Sequence, residues 1–280
     1  MAEQSESYQV VPFPKTRRLM EDGGRLARQK HLIHGLFELD VTEARRAMRD
    51  HRAATGESLS LTAFVIACLG QAVDKDKSVQ ACRTWRERLV IFDDVDVNTL
   101  FEVEVDGRKT IRPHVIRAAN KKTARAIHEE IRAFQTGHAA SQEARFIEKF
   151  VLLPGFVRRL FLRVLLRSPQ RLKAMNGTVA LTSVGMFGAG GGWGLPVSNH
   201  TLQITLGGIA VRPALLDGQV VERQYLCVTI SVDHDIVDGA PAARFAQSLK
   251  ELVEGRSVLD ELIGQGATSS KHSAQCLRRS

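Results

Sequence analysis

The sequence predicts an α/β protein with a mixed β-sheet and helices packed on one face. Helical and strand-like patterns are interleaved along the 280 residues, as expected of two packed layers. The strands of the last third of the chain are joined by short connections. Hydrophobic residues make up 44% of the chain, enough to bury a core in one large domain or two small ones.

Seven segments have strand character, and five segments, one of them a helix pair, have helical character. The predicted strands are Leu36–Val41, Arg88–Phe92, Val97–Val105, Lys109–Arg117, Thr178–Ser183, Thr201–Val211 and Tyr225–Val232. Val97–Val105 and Lys109–Arg117 are predicted to form a hairpin about Asp106-Gly107. The first predicted helix is capped by Asp40 or Thr42 and runs to about Arg52, and the second, over Leu61–Val73, is buried and capped by Ser60. An exposed helix is predicted over Thr123–Phe134 and an amphipathic helix pair over Glu143–Met175. The last predicted helix is Pro241–Val253.

The net charge of +8 suits nucleic acid, an anionic membrane or small anionic ligands. No nucleic-acid motif accompanies the charge, so no nucleic-acid partner is expected. The four cysteines form no CxxC pair and no histidine cluster has zinc spacing, so no metal site is expected. The cysteine usage and the polar N-terminus predict a cytoplasmic protein without a secretory signal.

His234 follows the predicted strand Tyr225–Val232, where alternation places it on the inward side. An imidazole at the end of a buried strand is a candidate general base, because its pKa lies near neutrality. The alternative is a core histidine bonded to a backbone carbonyl. Asp238 suits the N-cap of the last helix, and Gly239 allows a tight turn from strand to helix.

Two motifs carry a resemblance to a known family. Residues 234–239, HDIVDG, match the HxxxDG signature of the CoA-dependent acyltransferase superfamily. That superfamily includes the dihydrolipoyl acyltransferase cores of 2-oxoacid dehydrogenase complexes and chloramphenicol acetyltransferase. Residues 177–188, GTVALTSVGMFG, resemble the GTFTISNLGMFG stretch of the dihydrolipoyl cores and place Thr182 on the position of a catalytic hydroxyl. The similarity extends in order over residues 36–262.

The resemblance implies a chloramphenicol-acetyltransferase-like two-layer sandwich and an acyltransferase that uses CoA as substrate. It implies that His234 removes a thiol proton, that Thr182 stabilises the oxyanion and that Asp238 holds the loop of the histidine. It assigns contacts with CoA to Ser183, Gly185 and Gly239. It also implies a homotrimer, or a larger assembly of trimers, in which His234 and Thr182 come from neighbouring chains.

The sequence departs from the family pattern at several positions. Asp235 replaces a common Arg, Ser183 replaces a common Asn, and the glycine-rich run 189–194 is expected to reshape the acyl or lipoyl side of the site. Residues 1–36 are too few for a lipoyl domain or a subunit-binding domain. No lipoyl group is therefore expected on this chain, and the acceptor is expected on a lipoyl-bearing protein in trans.

The predicted organisation is an N-terminal arm over residues 1–30, a catalytic domain over 31–263 and a disordered basic tail over 264–280. Residues 138–175 form a basic amphipathic helical insertion. This insertion either packs on the body or a neighbour, or contacts a membrane surface or a partner through residues 143–175.

The predicted function is transfer of an acyl group between CoA and a dihydrolipoamide-like thiol by general-base catalysis. Two alternatives are an oligomeric scaffold that keeps the fold without turnover and a membrane-associated adaptor that uses the basic helices. The three residues His234, Thr182 and Asp238 argue against a scaffold, which needs none of them.

Overall fold

A computed structural model describes most of the chain: residues 8–14, 17–105, 108–136, 150, 152–184 and 190–264. Three features of the sequence analysis lie outside these residues, namely the Asp106-Gly107 turn, Gly185 and the tail beyond residue 264. The first half of the insertion, residues 138–149, lies outside them as well.

Six strands form one mixed sheet, and their bounds are β1 Leu32–Asp40, β4 Val97–Val105, β5 Arg108–Ile116, β6 Val179–Ser183, β7 Leu202–Leu216 and β8 Gln219–Asp233. Two short strands, β2 Cys82–Arg83 and β3 Leu89–Val90, form a separate pair. The order in the sheet is β1-β8-β7-β6-β4-β5. β4 and β7 run parallel to the central β6, while the remaining neighbours are antiparallel.

Helices cover one face of this sheet, which confirms the predicted two-layer α/β architecture. The helices are α1 Arg17–Ala27, α2 Thr42–Thr55, α3 Leu61–Lys75, α4 Ala124–Thr136, α5 Gly155–Leu166, α6 Pro169–Asn176, α7 Gly239–Glu254 and a last helix, α8, over residues 257–264. The central helix α3 is buried along nearly its whole length and packs between α4 and α7.

Local sequence signals set the start of α3 and its closest approach to the rest of the fold. The hydroxyl of Ser60 accepts a hydrogen bond from the backbone N–H of Ala63 at 3.2 Å, which confirms the predicted N-cap. Gly70 lets the backbone of residues 119–120 lie against the helix, because a Cβ there would sit 2.8 Å from the carbonyl carbon of Ala119. The buried helix therefore depends on a missing side chain as much as on its apolar ones.

Two expectations about the elements are wrong. The helix α4 is not an exposed helix, since Ile127, His128 and Ile131 are buried against α3 and β4. The hairpin of β7 and β8 is longer than predicted, because main-chain pairing continues to Leu216 and Gln219 after the apolar alternation ends. Backbone pairing across a tight turn needs no alternating pattern, so the sequence does not show it.

The described part of the segment predicted as an insertion forms two helices, α5 and α6. Arg158 of α5 is buried, and its Nε donates to Oδ2 of the equally buried Asp22 in α1 at 2.9 Å. The N-terminal helix is thus joined to the insertion by an ion pair. Among the described residues, no helix is long and apolar enough to cross a bilayer.

Replacing Gly70 with Ala is expected to lower the free energy of unfolding by about 1–3 kcal/mol, because the new methyl group meets backbone that cannot move aside. Gly24 in α1 is the matched control. A Cβ at Gly24 meets no atom within 4 Å, so Gly24→Ala should raise stability by about 0.5–1 kcal/mol. Urea unfolding of both variants measures the difference, and equal shifts of one sign would contradict the packing described for α3.

Candidate active site

His234 lies on a turn that joins β8 to α7. The N–H groups of Ile236 and Val237 both donate to the carbonyl oxygen of Asp233 at 3.0 Å, which bends the chain at the end of the strand. His234 is exposed in the single chain, so the expectation that it faces inward is wrong. The alternation fails because His234 already belongs to the turn, where successive side chains no longer point to opposite faces.

Residues just before β1 hold this turn in place. The Nζ of Lys30 lies 2.6 Å from Oδ2 of the buried Asp233, and the backbone N–H of His234 donates to the carbonyl oxygen of His31 at 2.9 Å. This contact gives the buried Asp233 side chain a partner in place of the water it loses on burial. The sequence analysis missed Lys30 and Asp233; its only available signal was a carboxylate at the end of an apolar strand.

Asp235, which stands where the family pattern has Arg, points back to the same segment. Its Oδ1 lies 2.9 Å from Nδ1 of His31. That hydrogen bond holds the pKa of Asp235 below its ordinary value, and the positive charges of Arg83 and Lys30 act in the same direction. A carboxylate therefore follows His234 directly in the chain at neutral pH.

Asp238 occupies the predicted N-cap position of α7, but its side chain makes no cap hydrogen bond and is exposed. The prediction of a side-chain cap is therefore wrong, although the position is right. Gly239, the first residue of α7, lines a groove of about 190 Å³ together with His34 and Phe37 of β1. The turn of His234 is thus bordered by an apolar groove on the β1 side.

Thr182 and Ser183 lie at the carboxyl end of β6, both half-buried. The Oγ1 of Thr182 accepts a hydrogen bond from Nε2 of Gln203 at 3.4 Å. A hydroxyl that accepts one bond still has its own proton to donate. The local environment therefore leaves Thr182 able to donate a hydrogen bond to a developing oxyanion.

The sheet register separates His234 from Thr182 within one chain. Thr182 pairs with Thr205 of β7, which pairs with Thr229 of β8. His234 lies five residues beyond Thr229, which is roughly 17 Å along the strands at about 3.3 Å per residue. Two strand spacings of about 4.8 Å add to this distance across the sheet. The two side chains of one chain do not meet.

The glycine-rich run next to Thr182 packs against the sheet itself. The N–H of Gly208 donates to the carbonyl oxygen of Gly192 at 2.9 Å, at an irregularity in the pairing of β7 with β8. A Cβ on Gly207 would sit 1.9 Å from that same oxygen. The glycines on both segments therefore permit a contact of backbone on backbone, and close packing accounts for them.

A second cavity, also of about 190 Å³, lies on the other side of the His234 turn. Its lining includes Lys30, Cys82, Asp233 and the buried His200. The Nε2 of His200 donates to the carbonyl oxygen of Asn176 at 2.8 Å, and burial of the ring lowers its pKa to about 4. In the described part of the chain, no group of three metal-ligating side chains comes together.

Residues 167–259, about a third of the chain, match the family described as 2-oxoacid dehydrogenases acyltransferase (catalytic domain). Both Thr182 and His234 lie within the match. The dihydrolipoyllysine-residue acetyltransferase component of the pyruvate dehydrogenase complex of Bacillus subtilis is 24% identical over 257 residues, which are 86% of this chain and 50% of that protein.

A succinyltransferase component of the mitochondrial 2-oxoglutarate dehydrogenase complex of Saccharomyces cerevisiae is 33% identical over 81 residues. That stretch covers 28% of this chain and 17% of the yeast protein. The chain thus spans half or less of the length of these curated relatives.

Solved structures show the same fold. A probable dihydrolipoamide acetyltransferase from Listeria monocytogenes superposes with a TM-score of 0.65 at 20% identity, over 88% of this chain and 94% of that one. The cubic core of the pyruvate dehydrogenase multienzyme complex gives 0.65 at 17% identity, over 92% and 96%. These matches confirm the resemblance to the catalytic domain of the dihydrolipoyl acyltransferases.

The buried His200 is expected to make the fold sensitive to acid. In unfolded chains the imidazole of His200 is protonated below about pH 6.5, but in the folded chain it is protonated only below about pH 4. The free energy of unfolding therefore falls as the pH drops between these values. From about pH 7.5 to about pH 5 the loss should be about 2 kcal/mol.

The measurement is the free energy of unfolding in urea at both pH values. The variant His200→Gln keeps a donor for Asn176 and should lose about 2 kcal/mol less on acidification than the wild type. An equal loss in His200→Gln and the wild type would show that His200 titrates normally.

Proposed function

We propose that this chain transfers an acyl group between CoA and a dihydrolipoamide-like thiol carried by a separate protein. The observation that carries the proposal is the pair of His234 and Thr182 inside the segment that matches the acyltransferase catalytic domain. His234 sits at the exposed end of β8 beside a groove, where a substrate has access to its ring.

The spacing of the candidate residues supports this assignment. The crystallographic and enzymatic study of the Azotobacter vinelandii dihydrolipoamide acetyltransferase concerns a serine, a histidine and an asparagine in its catalytic mechanism. The histidine follows that serine by 52 positions and precedes the asparagine by four. His234 follows Thr182 by the same 52 positions and precedes Asp238 by four.

In the proposed reaction, an unprotonated ring nitrogen of His234 takes the proton of the acceptor thiol. The resulting thiolate attacks the thioester carbonyl carbon of acyl-CoA, and the carbonyl oxygen becomes an oxyanion. Thr182 donates a hydrogen bond to this oxyanion. The intermediate collapses as the carbon–sulfur bond to CoA breaks, and the CoA thiolate takes the proton back from the imidazolium of His234.

The substrate site requires two copies of the chain. Because the register separates His234 from Thr182 of one chain by roughly 17 Å along the strands alone, we infer that His234 acts with the Thr182 of a neighbour. A projecting surface for such an assembly exists at the end of the β7–β8 hairpin, beyond the last residue paired with β1. Its exposed apolar side chains are Val211, Leu215, Leu216 and Val220.

Ser183, Asp238 and Gly239 have positioning roles in this proposal. Ser183 and Gly239 border the two halves of the site, at the end of β6 and the start of α7, and offer contacts for CoA. Gly185 is assigned the same role from the motif alone. Asp238 ends the turn of His234, and its backbone carbonyl accepts the N–H of Ala242 at 3.1 Å as α7 begins.

The test is the rate of acetyl transfer from acetyl-CoA to dihydrolipoamide. His234→Ala should lower kcat by about 10³, because proton transfer from the thiol then lacks a base. Thr182→Ala should lower it by about 10²–10³, whereas Thr182→Ser keeps the hydroxyl and should stay within about tenfold of the wild type. Circular dichroism verifies that each variant is folded. A His234→Ala variant that is folded and as fast as the wild type would exclude the proposed base.

A further inference from the structure

The outward face of α5 carries an apolar stripe. Phe156, Leu160 and Val164 follow one another at intervals of four residues and are 68%, 61% and 42% exposed. Just before the helix, Leu152 is 67% exposed. Bulky side chains exposed in a row on one helix face mark a surface that binds something apolar.

An arginine stripe runs beside the apolar one. Arg159, Arg163 and Arg167 are all exposed and recur at the same interval of four, about 60° further round the helix than the apolar stripe. The helix contains no acidic residue. Its outward face therefore combines apolar contact with positive charge along its whole length.

The inward face fixes this orientation. Arg158 points the opposite way, is 5% exposed, and its guanidinium donates to Asp22 and, at 2.7 Å, to the carbonyl oxygen of Leu153. Since a buried ion pair is costly to break, α5 cannot roll to hide its outward face. The two stripes stay exposed while the inner side remains attached to α1.

We propose that α5 docks this protein on an anionic lipid surface, with the helix axis lying in the plane of the interface. Parallel apolar and basic stripes are the pattern of interfacial helices, in which apolar side chains enter the acyl boundary and arginines meet anionic headgroups. The helix has 12 residues and spans about 18 Å, which is too short to cross a bilayer. Docking involves neither His234 nor Thr182, so it is independent of the proposed acyl transfer.

The charge argument favours a lipid surface over a protein partner. An acidic protein would pair with the arginines without needing the exposed Phe156 and Leu160, and a purely apolar partner would leave the exposed Arg163 and Arg167 unused. Arg159 already lies 3.8 Å from the carboxylate of Asp22. A membrane with anionic headgroups uses both stripes at once. Binding should weaken with salt, because the arginine contribution is screened within about 10 Å at moderate ionic strength.

The experiment is co-sedimentation of the full chain with vesicles of phosphatidylglycerol and phosphatidylcholine, compared with vesicles of phosphatidylcholine alone. Wild type should bind the anionic vesicles and lose most binding on vesicles without phosphatidylglycerol. Arg163→Gln/Arg167→Gln should weaken binding about thirtyfold, the fold-change given by about 1 kcal/mol per arginine at an anionic surface. Phe156→Ser/Leu160→Ser should weaken it at least tenfold.

Matched controls carry the same chemical changes elsewhere. Arg46→Gln/Arg49→Gln removes two exposed arginines of α2, and Leu89→Ser/Ile91→Ser removes two exposed apolar side chains in and just after β3. Both should bind vesicles like the wild type. The proposal is overturned if wild type fails to bind anionic vesicles at low salt, or if the controls weaken binding as much as the α5 variants. It is also overturned if the α5 variants lower the oligomeric mass in solution, since the face then contacts a second copy.

Discussion

The pairing of β6, β7 and β8 is the constraint on which the rest of the site depends. β7 is hydrogen-bonded to the parallel strand β6 on one side and to the antiparallel strand β8 on the other. The carboxyl ends of β6 and β8 therefore point in opposite directions. Thr182 lies at the first of these ends and His234 just past the second. A one-residue slip would turn every buried side chain outward, which fixes this register strongly. The separation of the two groups within one chain is therefore a property of the fold.

Much of this fold could be predicted, because the buried elements have clear patterns. The cap at Ser60, the apolar run of α3 and the strand Thr178–Ser183 are each encoded within a few residues. The position of His234 could not be predicted from alternation, since the turn is set by hydrogen bonds to Asp233 and by contacts with Lys30 and His31, two hundred residues away in the chain. Long-range partners of this kind leave no periodic signal in the sequence.

Two further contacts join segments that lie far apart or on different elements, and neither could be predicted. A change in the acyl or lipoyl side by the glycine-rich run at 189–194 stays a prediction. The described part of the run, from Gly190, packs on the irregular segment of β7 around Gly207 and Gly208. The absence of a Cβ is visible in a sequence, but the backbone that takes its place is not. The sequence predicts that the basic segment is amphipathic, but it does not show which face stays exposed. The ion pair of Arg158 with Asp22 decides this, and the two residues lie far apart in the chain.

Complementation between two inactive variants tests the central claim most directly, namely that each site takes His234 from one chain and Thr182 from another. Chains with His234→Ala and chains with Thr182→Ala are unfolded together, refolded as a mixture and assayed for acetyl transfer. Random mixing in a closed ring gives intact sites at about a quarter of the interfaces, so about a quarter of wild-type activity should return. If the mixture forms mixed oligomers by mass spectrometry and stays as inactive as either variant alone, the two residues do not act across chains.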